Sequence, residues 1–211
     1  MHQDYVLRMI QQMGLFVTHL LKRRKAGDDE GALIEIREAY GRMTGLHASL
    51  VYGLSEDDVV TMLIVQGAVH PERFVSLAVL LREEGDIYSS RGELADALPR
   101  MQKALRLYLE AWDRSDALRI ETIPGLDATI GWMEGYPVTP ETRTLLLSYL
   151  EEKGRFDEAE NYLLDWVDGG SAEAIDHATA FYQRLLALSD AELIVGGLTR
   201  NEVETALGDL E

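Results

Sequence analysis

The 211-residue sequence predicts an all-α protein, and three observations carry that prediction. Apolar residues recur three and four positions apart along nearly the whole chain, the spacing that gathers side chains on one helix face. Residues that start and stop helices stand at the borders of those periodic segments. Extended apolar/polar alternation bounded by hairpin turns such as Asn-Gly is missing, so no strand is predicted.

The first helix is read from Tyr5, Met9, Met13, Phe16, Val17 and Leu20, which share one face and run into the basic stretch "KRRK" at 22–25. Gly27, Gly92, Gly154 and the pair Gly169-Gly170 mark helix ends. Later starts are set by capping chemistry, in which a Ser, Thr or Asp side chain accepts from the free amides of the first turn and a Glu three residues on bonds back. "SEDD" from Ser55, "SDAE" from Ser189 to Glu192 and "TRNE" from Thr199 to Glu202 have that form. His70-Pro71 and Thr139-Pro140 place proline at a first helical position, where its missing donor costs nothing. The sum is ten or eleven helices with one longer irregular connection, "EGYPVTP", from Glu134 to Pro140. We read a single all-helical domain over 1–211: N-terminal helices over 1–69, a repeat-like region over 70–113, a second over 114–170, and C-terminal capping helices over 171–211.

Composition narrows the partners. With 37 acidic against 20 basic residues the net charge is −17, which repels nucleic acid and anionic lipid. There is no cysteine, which excludes disulfides, thiol nucleophiles and thiolate metal sites. The charge is uneven: residues 1–25 carry Asp4 against Arg8, Lys22, Arg23, Arg24 and Lys25, a net of +4, and the rest carries −21. The uncharged run from Gln11 to Leu21 is far short of the ~20 apolar residues that span a bilayer. Its positive charges follow the apolar run, opposite to a secretory signal. We expect a cytoplasmic protein.

One stretch stands out, "EEGDIYSSRGELADALPRMQKAL" from 83 to 105. Its offsets are those of two antiparallel helices: Gly85 and Ala104 allow close approach, Tyr88 fills the space between, Gly92 makes the turn, and Ala97 lets the second helix lie on the first. Such a pair cannot bury its faces alone and must stack on neighbours. The order Leu81, Gly85, Tyr88, Gly92, Ala97, Met101, Ala104 resembles the tetratricopeptide repeat. The second half of the pattern recurs as Gly27, Ala32, Ile36, Ala39 and as Gly154, Ala159, Leu163, Trp166. The three glycines are 65 and 62 residues apart, near twice the repeat length of about 34. "QDYVLRMIQQMG" near the start and "TPETRTLLLSYLEEKGRFDEAENYLLDW" further on resemble a family of uncharacterised bacterial tetratricopeptide-like proteins, which brings no activity with it.

Catalytic motifs are not found: no phosphate loop, Gly-x-Gly-x-x-Gly, Gly-x-Ser-x-Gly or His-Glu-x-x-His occurs. The five histidines, at 2, 19, 47, 70 and 177, are never three or four apart, so no metal and no cofactor is read from them. "SAEAIDHATAFY" puts Glu173 and His177 on one helix face, either a hydrogen-bonded acid–base pair or an ordinary surface pair. "KRRK" with the apolar helix before it reads either as a peripheral membrane anchor or as a basic helix end facing the acidic "DDE" that follows. Trp112, Trp132, Trp166, Tyr136 and Tyr149 either line a peptide groove or fill a core.

The resemblance to the tetratricopeptide repeat implies a groove lined by fixed first-helix positions. Carried over residue by residue these are Arg82, Asp86, Ser89 and Ser90 in one repeat, and Ser148, Glu151 and Glu152 in the other. A repeat that clamps a carboxylate tail would present Lys, Arg and Asn there, and only Arg82 suits, so the groove is mixed to acidic. We therefore expect a non-enzymatic module that binds a protein or peptide of unknown identity, with a homo-oligomer left open. Two alternatives stand beside it: a helical enzyme or small-molecule sensor around Glu173 and His177, and a membrane-surface adaptor using residues 4–25.

Overall fold

A computed structural model of the chain describes residues 2–64, 68, 70–120, 122–170 and 172–210; the side chains of 2–7 lie outside the described residues. Every regular element among the described residues is a helix: α1 (His2–Lys25), α2 (Asp29–Thr44), α3 (Ala48–Gly53), α4 (Glu56–Leu63), α5 (Pro71–Ser90), α6 (Leu94–Asp113), α7 (Asp116–Ile120), α8 (Leu126–Met133), α9 (Pro140–Glu152), α10 (Phe156–Asp168), α11 (Ala172–Leu186), α12 (Asp190–Val195) and α13 (Arg200–Asp209). The thirteen exceed the ten or eleven expected because pieces such as α3 and α7, six and five residues long, are too short to show a period.

The capping chemistry stands where the sequence puts it. Ser55 Oγ accepts the Asp58 amide at 3.1 Å, and Ser189/Glu192 and Thr199/Glu202 form reciprocal capping boxes. Those bonds hold the Glu192 and Glu202 carboxyls below their ordinary pKa. Pro71 and Pro140 open α5 and α9.

The helices gather into two compact units, residues 1–138 and 139–211, and the division falls inside the irregular connection expected over Glu134–Pro140. The α5–α6 pair is the centre of the first unit; α2 packs on α5, α1 on both α2 and α5, and α8 on α6. Ala97 and Ala104 are wholly buried. A Cβ on Gly85 would stand 3.1 Å from both Cγ and Cε of Met101, so the missing side chain is what lets the two helices come this close. Gly92 turns the chain after α5 at φ +76°, a region that strains any residue with a Cβ.

A buried carboxylate ties this unit together. Glu84 is wholly buried and accepts from Tyr40 Oη at 2.8 Å, Tyr52 Oη at 2.5 Å and Arg100 Nε at 3.2 Å. The Arg100 guanidinium lies between the Tyr52 and Tyr88 rings, 4.4 and 4.5 Å from their centroids. A charge in such a place persists only because it is paired, and removing one partner costs about 3–5 kcal/mol. Burial and the neighbouring Glu84 push the Tyr52 hydroxyl up to about 12 and hold Tyr40 well above its ordinary value.

The α1 face bears on the two readings of "KRRK". Met9, Met13, Phe16 and Leu20 are buried, while Tyr5 lies outside the residues whose side chains are described. Arg23 pairs with Asp28 at 3.3 Å and Glu35 at 3.7 Å, and Arg24 with Asp29 at 3.9 Å, so the basic end meets the acidic start of α2. No helix among the described residues is long and apolar enough to cross a membrane.

In the second unit α10 packs against both α9 and α11, and α13 against α11. Tyr182 Oη donates to Glu160 at 2.9 Å between α11 and α10. The Arg200 guanidinium donates to the Leu186 carbonyl at 3.1 Å and to that of Leu188, satisfying acceptors left over at the end of α11. The Gly196 carbonyl accepts from the amides of Phe156 and Asp157 at 2.9 and 3.0 Å, and so caps the start of α10.

Candidate functional site

The two sets of groove positions meet different fates. In the first unit they are engaged by the unit's own parts. Arg82 pairs with Glu83 at 3.0 Å and Asp86 at 3.2 Å; the Asp86 carbonyl accepts from Arg24 of α1 at 3.4 Å. Ser89 Oγ accepts from Trp132 Nε1 of α8 at 3.2 Å, and Ser90 Oγ donates to the Ile87 carbonyl. What remains beside Arg82 is a narrow cavity of about 110 Å³ whose walls include Ile10, Met13 and Val17 of α1 and Val75 and Val79 of α5. That is well below the ~300 Å³ at which ordinary ligand pockets begin.

In the second unit the carried-over positions face a groove. Ser148, Glu151 and Glu152 of α9 line a groove of about 590 Å³ together with Thr144 and Leu147, with Leu163 of α10, and with His177, Phe181 and Arg184 of α11. The floor is apolar: Leu147, Leu163 and Phe181 are 8, 1 and 2 % exposed. The rim is charged. Arg184 donates to Glu151 through both Nε and Nη2, at 2.7 and 2.8 Å, a bidentate bridge from α11 to α9. That bridge raises the guanidinium's pKa above its ordinary value.

The Glu173–His177 pair exists, with His177 Nε2 3.9 Å from Glu173 Oε1, longer than a hydrogen bond. Its Glu173 side chain is 72 % exposed, as an ordinary surface pair would be. His177 instead belongs to the groove, its ring 5.0 Å from the Trp166 ring. Arg143 covers Trp166 at 5.1 Å. Of the other aromatics, Trp112 and Tyr149 are buried, and Trp132 and Tyr136 stack at 5.0 Å in the first unit. Among the described residues no group of three or more His, Asp or Glu is placed to hold a metal ion.

Sequence reasoning missed Phe181 and Arg184. The signal was present: His177, Phe181 and Arg184 are four and three residues apart, one face of one helix. Nothing local says that this face looks toward α9, so the triplet reads as an ordinary amphipathic stripe.

Fold and groove together define an all-α protein of packed antiparallel helix pairs that carries an open, apolar-floored groove between helices. Over its whole length, residues 1–211, the chain matches a family of unknown function, DUF6483, and it belongs to that family. No curated protein and no solved structure matches it.

Proposed function

We propose that the protein is a non-enzymatic, tetratricopeptide-like interaction module that binds a protein or peptide segment along the α9–α10–α11 groove, in a bacterial cytoplasm. The observation that carries this reading is the convergence of Ser148, Glu151 and Glu152 with Phe181 and Arg184 around one groove of about 590 Å³. An extended or helical segment needs such a trough, with an apolar floor for its anchor side chain and a polar rim for register. The resemblance around Gly154 supports the tetratricopeptide-like description, since all of the lining but Leu163 comes from the first helix of that repeat and the helix that follows the pair.

The test is to select binders from a random display library of short peptides and then to fill the groove. Ser148 is exposed on the wall, so Ser148→Trp adds bulk there at little cost to the fold. The reading expects selected peptides to slow hydrogen exchange on α9 and α11 and to lose affinity for Ser148→Trp. Peptides that bind with equal strength to the folded variant would overturn it.

A further inference from the structure

Resting on that reading, we infer that the groove's occupant is a segment that pairs a Lys or Arg with a large apolar side chain, and that Arg184 is a built-in competitor for its basic residue.

The polar groups on the α9 wall of the groove are acceptors. The Thr144 hydroxyl donates to the Pro140 carbonyl at 3.1 Å and the Ser148 hydroxyl to the Thr144 carbonyl at 3.0 Å, so their protons are spent within the helix and their lone pairs remain. Glu151 and Glu152 add carboxylates on the same wall. Residues 139–211 hold sixteen acidic against five basic residues, so −11 of the net −17 sits in the unit that carries the groove. A basic segment meets complementary charge there; an acidic one, or a second copy of this chain, meets repulsion.

The groove also holds an internal copy of what it would recognise. Arg184 reaches Glu151 from a helix 33 residues further along the chain and offers it the bidentate fork that a partner's arginine would offer. Its side chain is 56 % exposed and that of Glu151 25 %, so the bridge is bidentate but reached by water, which screens it and hydrates the guanidinium as it leaves. An arriving guanidinium or ammonium therefore exchanges for Arg184 like for like, while the apolar neighbour settles over Leu147, Leu163 and Phe181. Arg184 sets a threshold: segments without the apolar anchor gain nothing from displacing it.

The opposite chemistry makes an opposite prediction, which the experiment uses. Were the ligand anionic, Arg184 would be its anchor and losing it would abolish binding. The full chain is titrated by fluorescence anisotropy with labelled peptides of about ten residues, each with a Leu or Phe flanked by Lys or Arg, by Ser, or by Glu. The basic set is expected to bind best and to weaken as salt rises, because exposed charges are screened. Arg184→Ala, with Arg184→Gln as its conservative companion, is expected to tighten basic peptides roughly two- to fivefold, the range to which the worth of an exposed pair converts. Glu151→Gln should weaken them. Lys153→Ala removes the same charge outside the groove lining and should leave affinity nearly unchanged. Preference for Glu peptides, equal binding of the Ser set, loss of binding in Arg184→Ala, or equal tightening by Lys153→Ala would overturn the inference while leaving a peptide groove. If peptides of every charge fail to bind, the groove reading itself falls and takes the inference with it.

Discussion

Gly196 and Phe156 meet backbone to backbone with the ring alongside: the Gly196 carbonyl accepts the Phe156 amide at 2.9 Å, and a Cβ on Gly196 would overlap Cδ2 and Cε2 at the edge of the Phe156 ring and stand 2.8 Å from the Gly154 carbonyl oxygen. The turn between α12 and α13 is thus pressed on the start of α10, whose Leu163 lies in the groove floor. Gly196→Ala should cost about 1–3 kcal/mol, since neither a buried ring nor a backbone oxygen can give way cheaply. Urea unfolding checks this, and an unchanged midpoint would show that the contact is loose.

Ala97 occupies the same kind of place in the α5–α6 pair. It is wholly buried opposite the helix that carries Gly85. Ala97→Leu should overpack the crossing and destabilise by on the order of 1–3 kcal/mol. A melting temperature equal to that of the wild type would remove the packing role assigned to this motif.

Glu83 makes stability depend on pH. Burial pushes its carboxyl up to about 7 from an ordinary 4.5, against the pull of Arg82, and one of its oxygens has no hydrogen-bond partner among the described residues. The folded form therefore keeps a proton that the unfolded chain releases near 4.5. That contribution is complete below about 4.5 and is lost as pH rises through about 7, a loss on the order of 3 kcal/mol. Glu83→Gln keeps an acceptor for Arg82 and removes the titration. Denaturation midpoints compared at about pH 4.5 and 8 should converge at the acid end and favour the variant at the alkaline end; parallel profiles would contradict this.

Met13 tests the assignment of α1 to the core. It is 5 % exposed, on the face shared with Met9, Phe16 and Leu20. Met13→Asp should cost on the order of 2–3 kcal/mol, since it removes a packed apolar side chain and puts a carboxylate that must be desolvated in its place, and lower Tm by roughly 5–10 °C in a chain of this length. A stable variant that has lost a salt-sensitive affinity for anionic vesicles would instead return α1 to the membrane surface.

The local half of this structure could be read from the residues. Ser189 with Glu192, and Thr199 with Glu202, announce helix starts because the bonds they make span three residues. Gly85, Ala97 and Ala104 announce a close helix pair because a missing side chain at fixed offsets means the same thing wherever it occurs. The groove positions of the two repeats read alike for that reason, and they proved unlike. Arg82 and Ser89 sit beneath α1 and α8, while Ser148 and Glu151 line a groove, with Glu151 bridged there by Arg184.

By itself the sequence determined the all-helical class, most helix borders, the tight α5–α6 crossing and the strongly acidic charge. Each of these follows from interactions among near neighbours, or from a sum over the chain. Tertiary structure alone decided the division at residue 138, the burial of Glu84 under Tyr40 and Tyr52, which lie 44 and 32 residues away, and the bridge from Arg184 to Glu151 across 33. Which stripe meets which depends on how whole helix faces pack, and an amphipathic stripe specifies that it will be covered without specifying by what.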